Sequence, residues 1–120
     1  MPELIIEERH SEINPNVTVL DLSGKVTLGE GSVALRNKII QLLDEDKKKI
    51  LLNFQNEELT YTDSSGIGEF VSAFNRVNKV GGTLKLLNLS QYITTLFTTV
   101  KLIKVFDTFD EEEEALKSFK

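Results

Sequence analysis

Residues 50–77 read Ile50-Leu-Leu-Asn-Phe-Gln-Asn-Glu-Glu-Leu-Thr-Tyr-Thr-Asp63-Ser-Ser-Gly-Ile-Gly-Glu-Phe70-Val-Ser-Ala-Phe-Asn-Arg-Val77. Ile50 to Phe54 is apolar except at Asn53, which predicts a strand buried on both faces, as in a parallel or mixed sheet. Gln55 to Glu58 is polar and reads as a loop. Ile67, Phe70, Val71, Phe74 and Val77 then recur at helical spacing and predict an amphipathic helix. Between the two lies a polar turn with an acid, two adjacent hydroxyls and two glycines. It sits at a strand's C-terminal edge, where open α/β sheets meet their ligands and partners.

Leu4–Arg9 and Val17–Ser23 read as strands joined through the Asn14-Pro15-Asn16 turn signal, an antiparallel hairpin. Lys25–Gly31 is a loop. Ser32 is a candidate N-cap for a helix reaching about Asp46, striped by Leu35, Ile39 and Leu42. The charge run Asp44–Lys49 reads as a solvated helix end and turn. Gly81-Gly82 ends the helix that follows the polar turn, and Thr83–Asn88 is a strand. Ser90 is placed to cap a short helix carrying Ile93, Leu96, Phe97 and Val100. Leu102–Phe106 reads as a final strand. Asp110–Glu114 opens the last helix, with acids placed to favour its macrodipole. The order β-β-α-β-α-β-α-β-α implies one α/β domain over residues 1–120, a mixed sheet with about four helices and right-handed parallel crossovers.

The 120 residues contain no cysteine and one histidine, and carry a formal net charge of −5. A disulfide framework and thiolate chemistry are excluded, and a zinc or other soft-metal site is not expected. An acidic domain without a basic stripe is a poor match for nucleic acid or an anionic membrane. The acidic start Met1-Pro-Glu-Leu-Ile-Ile-Glu-Glu8 does not read as a signal peptide, and no apolar run has the length of a membrane span. A cytoplasmic protein is expected. Ser64 and Ser65 do not form a G-x-S-x-G elbow, and Gly66-Ile67-Gly68 is neither a dinucleotide fingerprint nor a P-loop. No catalytic residue, cofactor or metal ligand is assigned.

Asp63, Ser64 and Ser65 are all good N-cap types, so one of them is expected to cap the helix. Two hydroxyls are present where one suffices. Gly66 and Gly68 weaken the first turn, which points to a need for close backbone approach. A phosphate on a serine here would meet helix N–H groups, but it would add roughly −1.5 to −2 charge beside Asp63. Under a partner surface that charge would weaken binding on the order of a hundredfold.

The Asp63-Ser64-Ser65-Gly66-Ile67-Gly68 motif resembles the D-S-[ST]-G-[LI]-G signature of STAS-domain proteins, specifically the bacterial anti-sigma factor antagonists. Leu20–Lys25, Ile50–Phe54 and Gly81–Leu86 resemble the family's second strand, its central strand and the segment after the motif helix. The resemblance implies that Ser64 is phosphorylated by a GHKL-type serine kinase that is also an anti-sigma factor. The unphosphorylated form binds that partner and frees a sigma factor, and a metal-dependent serine phosphatase resets the switch. Thr62, Asp63, Ser64, Ser65, Gly66, Ile67 and Gly68 form the recognition turn, with Ser65 the neighbouring hydroxyl and cap. Many members carry an acid-bearing G-E-[LI]-D segment after the second strand. Here it is Gly24-Lys25-Val26-Thr27, so Thr27 and Glu30, in the following loop, are the candidate flanking contacts. Two other roles suit the same family: a constitutive interaction or scaffold module, and a sensor of a nucleotide or lipid.

Overall fold

The computed structural model describes residues 3–120. A six-stranded sheet runs in the order β1 (Leu4–Arg9), β2 (Thr18–Val26), β3 (Lys49–Asn56), β5 (Thr83–Leu89) and β6 (Thr108–Phe109), with β4 (Leu59–Thr62) pairing separately to β2. The opening hairpin is as expected: β1 (Leu4–Arg9) lies antiparallel to β2 (Thr18–Val26), with Glu7 opposite Asp21. β3 (Lys49–Asn56) is central, parallel to β2 on one side and to β5 (Thr83–Leu89) on the other. Ile50 to Phe54 are accordingly buried throughout.

Three helices, α1 (Glu30–Asp44), α2 (Ser64–Lys79) and α3 (Gln91–Thr99), share one face of the sheet. Leu35, Ile39 and Leu42 of α1, Phe70 and Val77 of α2, and Ile93 and Phe97 of α3 fill the core against Leu20, Leu52 and Leu86. α4 (Glu112–Ser118) covers part of the opposite face, setting Ala115 and Leu116 on Val17, Val19, Leu51 and Leu87. Arg9 clamps α4 to the hairpin: its Nε donates to Asp21 at 2.7 Å and its Nη1 to Glu112 at 2.9 Å. Glu112 thus serves an ion pair as well as the helix dipole.

Three boundaries differ from the sequence reading. Ser32 does not cap α1. The helix begins three residues earlier with Gly29 at the cap position, and Ser32 is buried, its hydroxyl donating to the Thr27 carbonyl at 2.7 Å. Leu59–Thr62, which carry no strong strand pattern, form the short strand β4 because the end of β2 peels away from β3 to meet them. The element order thus contains one more strand than expected.

Leu102–Phe106 is not a strand. Lys101 takes a left-handed conformation (φ 63°) after α3, and the Leu102 N–H returns to the Phe97 carbonyl at 2.8 Å, a Schellman-type ending. The chain then turns so that Phe106 packs against Phe74 and Phe97, with centroids 5.1 and 5.7 Å away. Pairing to β5 begins only at β6 (Thr108–Phe109). Leu102, Ile103 and Phe106 are consumed in plugging the end of α3 while Val105 stays exposed, a use that strand periodicity does not distinguish.

At the hairpin edge, Glu8 bonds Lys38 at 2.7 Å and Lys47 at 3.2 Å. The Lys38 hydrogen bond holds the Glu8 carboxyl below its ordinary range, burial opposes this, and Lys47 adds to it. A depressed carboxyl contributes stability above its unfolded pKa of about 4.3 and loses it as pH falls through the folded value. Glu8→Gln is therefore expected to make the loss of stability between about pH 5 and pH 3 shallower than in the wild type. Urea midpoints across that range test this, and parallel curves would contradict it.

Candidate functional site

The site is built where β2 changes partner. Gly24 adopts φ 104°, its N–H donates to the Glu58 carbonyl at 2.8 Å, and the next amide, Lys25, donates to the Glu3 carbonyl at 2.9 Å. A Cβ at Gly24 would collide with the Glu3 backbone. This kink shifts the register and brings Lys25 opposite Tyr61 and Val26 opposite Thr62. Leu59 and Thr62 point inward, each 1% exposed, while Thr60 and Tyr61 face out.

Asp63 is the N-cap of α2. Its Oδ1 accepts the Gly66 N–H at 2.9 Å, the geometry expected of a cap bonding the third helical residue. Its Oδ2 accepts a longer bond, 3.4 Å, from the Leu28 N–H. One carboxylate therefore starts the helix and ties down the 27–29 loop. This corrects the expectation for Ser65, which is not the cap. Ser64 and Ser65 are both exposed, and neither side chain makes a hydrogen bond among the described residues. Two free hydroxyls stand at the first two positions of a helix whose opening N–H groups favour negative charge.

The two glycines play different parts. A Cβ at Gly66 would run into the Val26 carbonyl and the Thr62 hydroxyl, so close approach is required there. That hydroxyl donates to the same carbonyl at 2.7 Å, locking β4, β2 and the helix start together. Gly68 is exposed, and a Cβ there would meet nothing within 4 Å, so no close approach within the chain requires a glycine. Gly68→Ala is predicted to raise stability by up to about 1 kcal/mol through helix propensity alone. A raised urea midpoint with unchanged slope checks it, and a lower midpoint would contradict it.

Thr27 and Glu30 meet each other through a residue that sequence reasoning missed, Glu3. The Thr27 N–H donates to Glu3 Oε1 at 3.2 Å and the Thr27 hydroxyl bonds the same oxygen, while the Glu3 N–H donates to Glu30 at 2.7 Å. Glu30 lies in the first turn of α1, not in the loop before it. Among the described residues neither Thr27 nor Glu30 bonds the 62–68 turn, and the link to Asp63 is the Leu28 amide. Glu3 precedes the first strand, and nothing in its spacing to Thr27 signals the pairing.

An exposed apolar rim completes the site. Leu28 is 79% exposed, and Tyr61 and Tyr92 are nearly half exposed. The two tyrosine rings, the only two in the chain, stack with centroids 6.1 Å apart at 19°. The Tyr92 hydroxyl donates to the Thr62 carbonyl at 3.3 Å, joining α3 to the turn. The signal in the sequence was an unpatterned leucine in a loop and a tyrosine just after a helix cap. His10, the single histidine, is held by the Pro15 carbonyl in the β1–β2 connection, on elements that make no part of this turn.

A mixed sheet with this strand order and a capped D-S-S-G-I-G turn defines the class. The STAS domain model matches residues 8–115. The chain is 32% identical to the anti-sigma-B factor antagonist of Bacillus subtilis (strain 168) over 83% of its own length and 88% of the relative's. It therefore belongs to the STAS-domain family, among the anti-sigma factor antagonists. Solved structures share the fold. An anti-sigma factor antagonist from Mycobacterium paratuberculosis superposes with a TM-score of 0.79 at 14% identity, covering 99% of this chain and 97% of that one. The Bacillus cell fate determinant SpoIIAA in its phosphorylated form gives 0.69 at 24% identity, covering 94% and 97%. No helix among the described residues is long and apolar enough to cross a membrane.

Proposed function

We propose that this chain, acting as a single cytoplasmic domain over residues 1–120, is a phosphorylation-controlled antagonist of an anti-sigma factor. It has no catalytic role of its own. With Ser64 unmodified, the 62–68 turn and its apolar rim bind an anti-sigma factor that is also a GHKL-type serine kinase, which frees a sigma factor. The kinase phosphorylates Ser64 and the complex dissociates. A metal-dependent serine phosphatase restores the free hydroxyl.

The observation that carries this reading is the division of labour at the turn. Asp63 takes the capping role, so the Ser64 hydroxyl is exposed and spare. Modification there leaves the helix cap intact. The fold's occurrence in a SpoIIAA structure in phosphorylated form supports the same reading. A phosphoryl group at Ser64 sits beside the Asp63 carboxylate and close in sequence to Tyr61, and the Gly66 N–H that could receive it is already occupied. A partner covering the rim would have to desolvate that charge, which is costly without a countercharge.

The test is a binding titration against the kinase-type anti-sigma factor of the same genome. Saturable binding is expected without nucleotide, with release after ATP is added. Tight binding that persists after Ser64 is fully phosphorylated would instead favour a constitutive interaction module.

A further inference from the structure

At the pole of the sheet opposite the turn, where β2, β3 and β5 begin, lies an open cleft of about 540 Å³. Its walls come from the β1–β2 connection, the α1–β3 turn, the α2–β5 turn and the C-terminal residue. The charge run that reads in sequence as a solvated turn here converges with distant residues: Lys47, Lys48 and Lys49 share the cleft with His10 and Lys120.

In a chain of net charge −5, four lysines line this one concavity. The lysines are not equivalent. Lys47 is taken up by Glu8 and Glu45, both at 3.2 Å. Lys48 pairs with Asp46 at 3.3 Å, but Asp46 is 84% exposed, so that pair is weak and displaceable. Lys49 is half-buried at the start of β3, and neither it nor Lys120 has a carboxylate partner among the described residues. Asp46 is the one acidic side chain in the lining, beside the backbone carboxylate of Lys120. An ammonium on the wall of a concavity and without a carboxylate partner is open to an anion. The acidic remainder of the surface repels an extended polyanion such as nucleic acid and leaves room only for a compact one.

We infer that this cleft binds a small phosphate-bearing anion, with Lys49 and Lys120 as its principal cationic contacts and Lys48 joining once released from Asp46. The site is separate from the Ser64 turn and does not depend on the function proposed for it.

The test is an amide-shift NMR titration of the full chain at low salt, with inorganic pyrophosphate as probe and glucose 6-phosphate in a parallel arm. Saturable shifts confined to Lys48, Lys49, Gly82, Thr83 and Lys120 are expected, weakening as ionic strength rises. Saturation by pyrophosphate alone identifies an inorganic ligand, whereas saturation by both identifies the phosphoryl group of a metabolite. Lys49→Gln and Lys120→Gln are each expected to weaken binding by roughly five- to tenfold, on the scale of one screened ion pair, and Lys104→Gln, an exposed lysine elsewhere, leaves it unchanged. Unsaturable shifts at millimolar probe, shifts centred elsewhere, or equal weakening by Lys104→Gln would overturn the assignment.

Discussion

Gly66→Ala is expected to destabilise the protein by about 3 kcal/mol. A methyl group at this position enters space already held by the Val26 carbonyl and the Thr62 hydroxyl, and the Val26 carbonyl carbon is only 2.9 Å from it. Overpacking of this kind costs about 1–3 kcal/mol. The clash also forces apart the Thr62–Val26 bond and strains the Asp63 cap, each worth about 1 kcal/mol. The gain in helix propensity from alanine, about 1 kcal/mol, offsets part of this. The prediction is a large fall in urea midpoint, opposite in sign to that for Gly68→Ala. The contrast separates the two glycines: one is required by packing, and the other stands in open space. Equal midpoints for the two variants would contradict the packing described for the turn.

Ser64→Asp is expected to weaken binding to the anti-sigma factor on the order of a hundredfold, about 2.7 kcal/mol. Its stability should stay close to that of the wild type. The side chain is exposed, and a carboxylate at the first helical position is favoured by the dipole. Ser64→Ala is expected to leave binding intact, because it adds no charge to the turn and the exposed hydroxyl makes no hydrogen bond among the described residues, but it removes the acceptor. The pair therefore separates charge from side-chain loss. Calorimetry with each variant measures it, and a Ser64→Asp variant that binds as tightly as wild type would contradict an electrostatic switch.

Much of the frame was legible because it rests on strong local patterns. Ile50–Phe54 reads as a doubly buried strand and lies at the centre of the sheet. The stripe from Ile67 to Val77 lies against the core as its spacing requires. The Gly81-Gly82 ending places Gly81 at φ 79° with the Gly82 N–H on the Val77 carbonyl. What failed depends on partners distant in sequence. Leu102–Phe106 has strand composition, but the core gap beneath α3 takes Phe106 first. β4 exists only because Gly24 kinks β2 toward it. Ser32 and Ser65 satisfy the rule for caps, yet Gly29 and Asp63 occupy those positions because the loop is anchored through Glu3 and Leu28. The motif marked the turn, while the apolar rim of Leu28, Tyr61 and Tyr92 came from three separate elements and had no shared signal.

The central claim is that Ser64 is the acceptor whose modification controls binding. It is tested most directly by incubating the chain with its kinase-type anti-sigma factor and ATP, then mapping the modified residue by intact-mass and peptide analysis. The expected result is a mass gain of a single phosphoryl group, located at Ser64, absent in Ser64→Ala and accompanied by loss of the complex. A phosphoryl group found only at Ser65 or elsewhere, or full modification of Ser64 with the complex still intact, would contradict it.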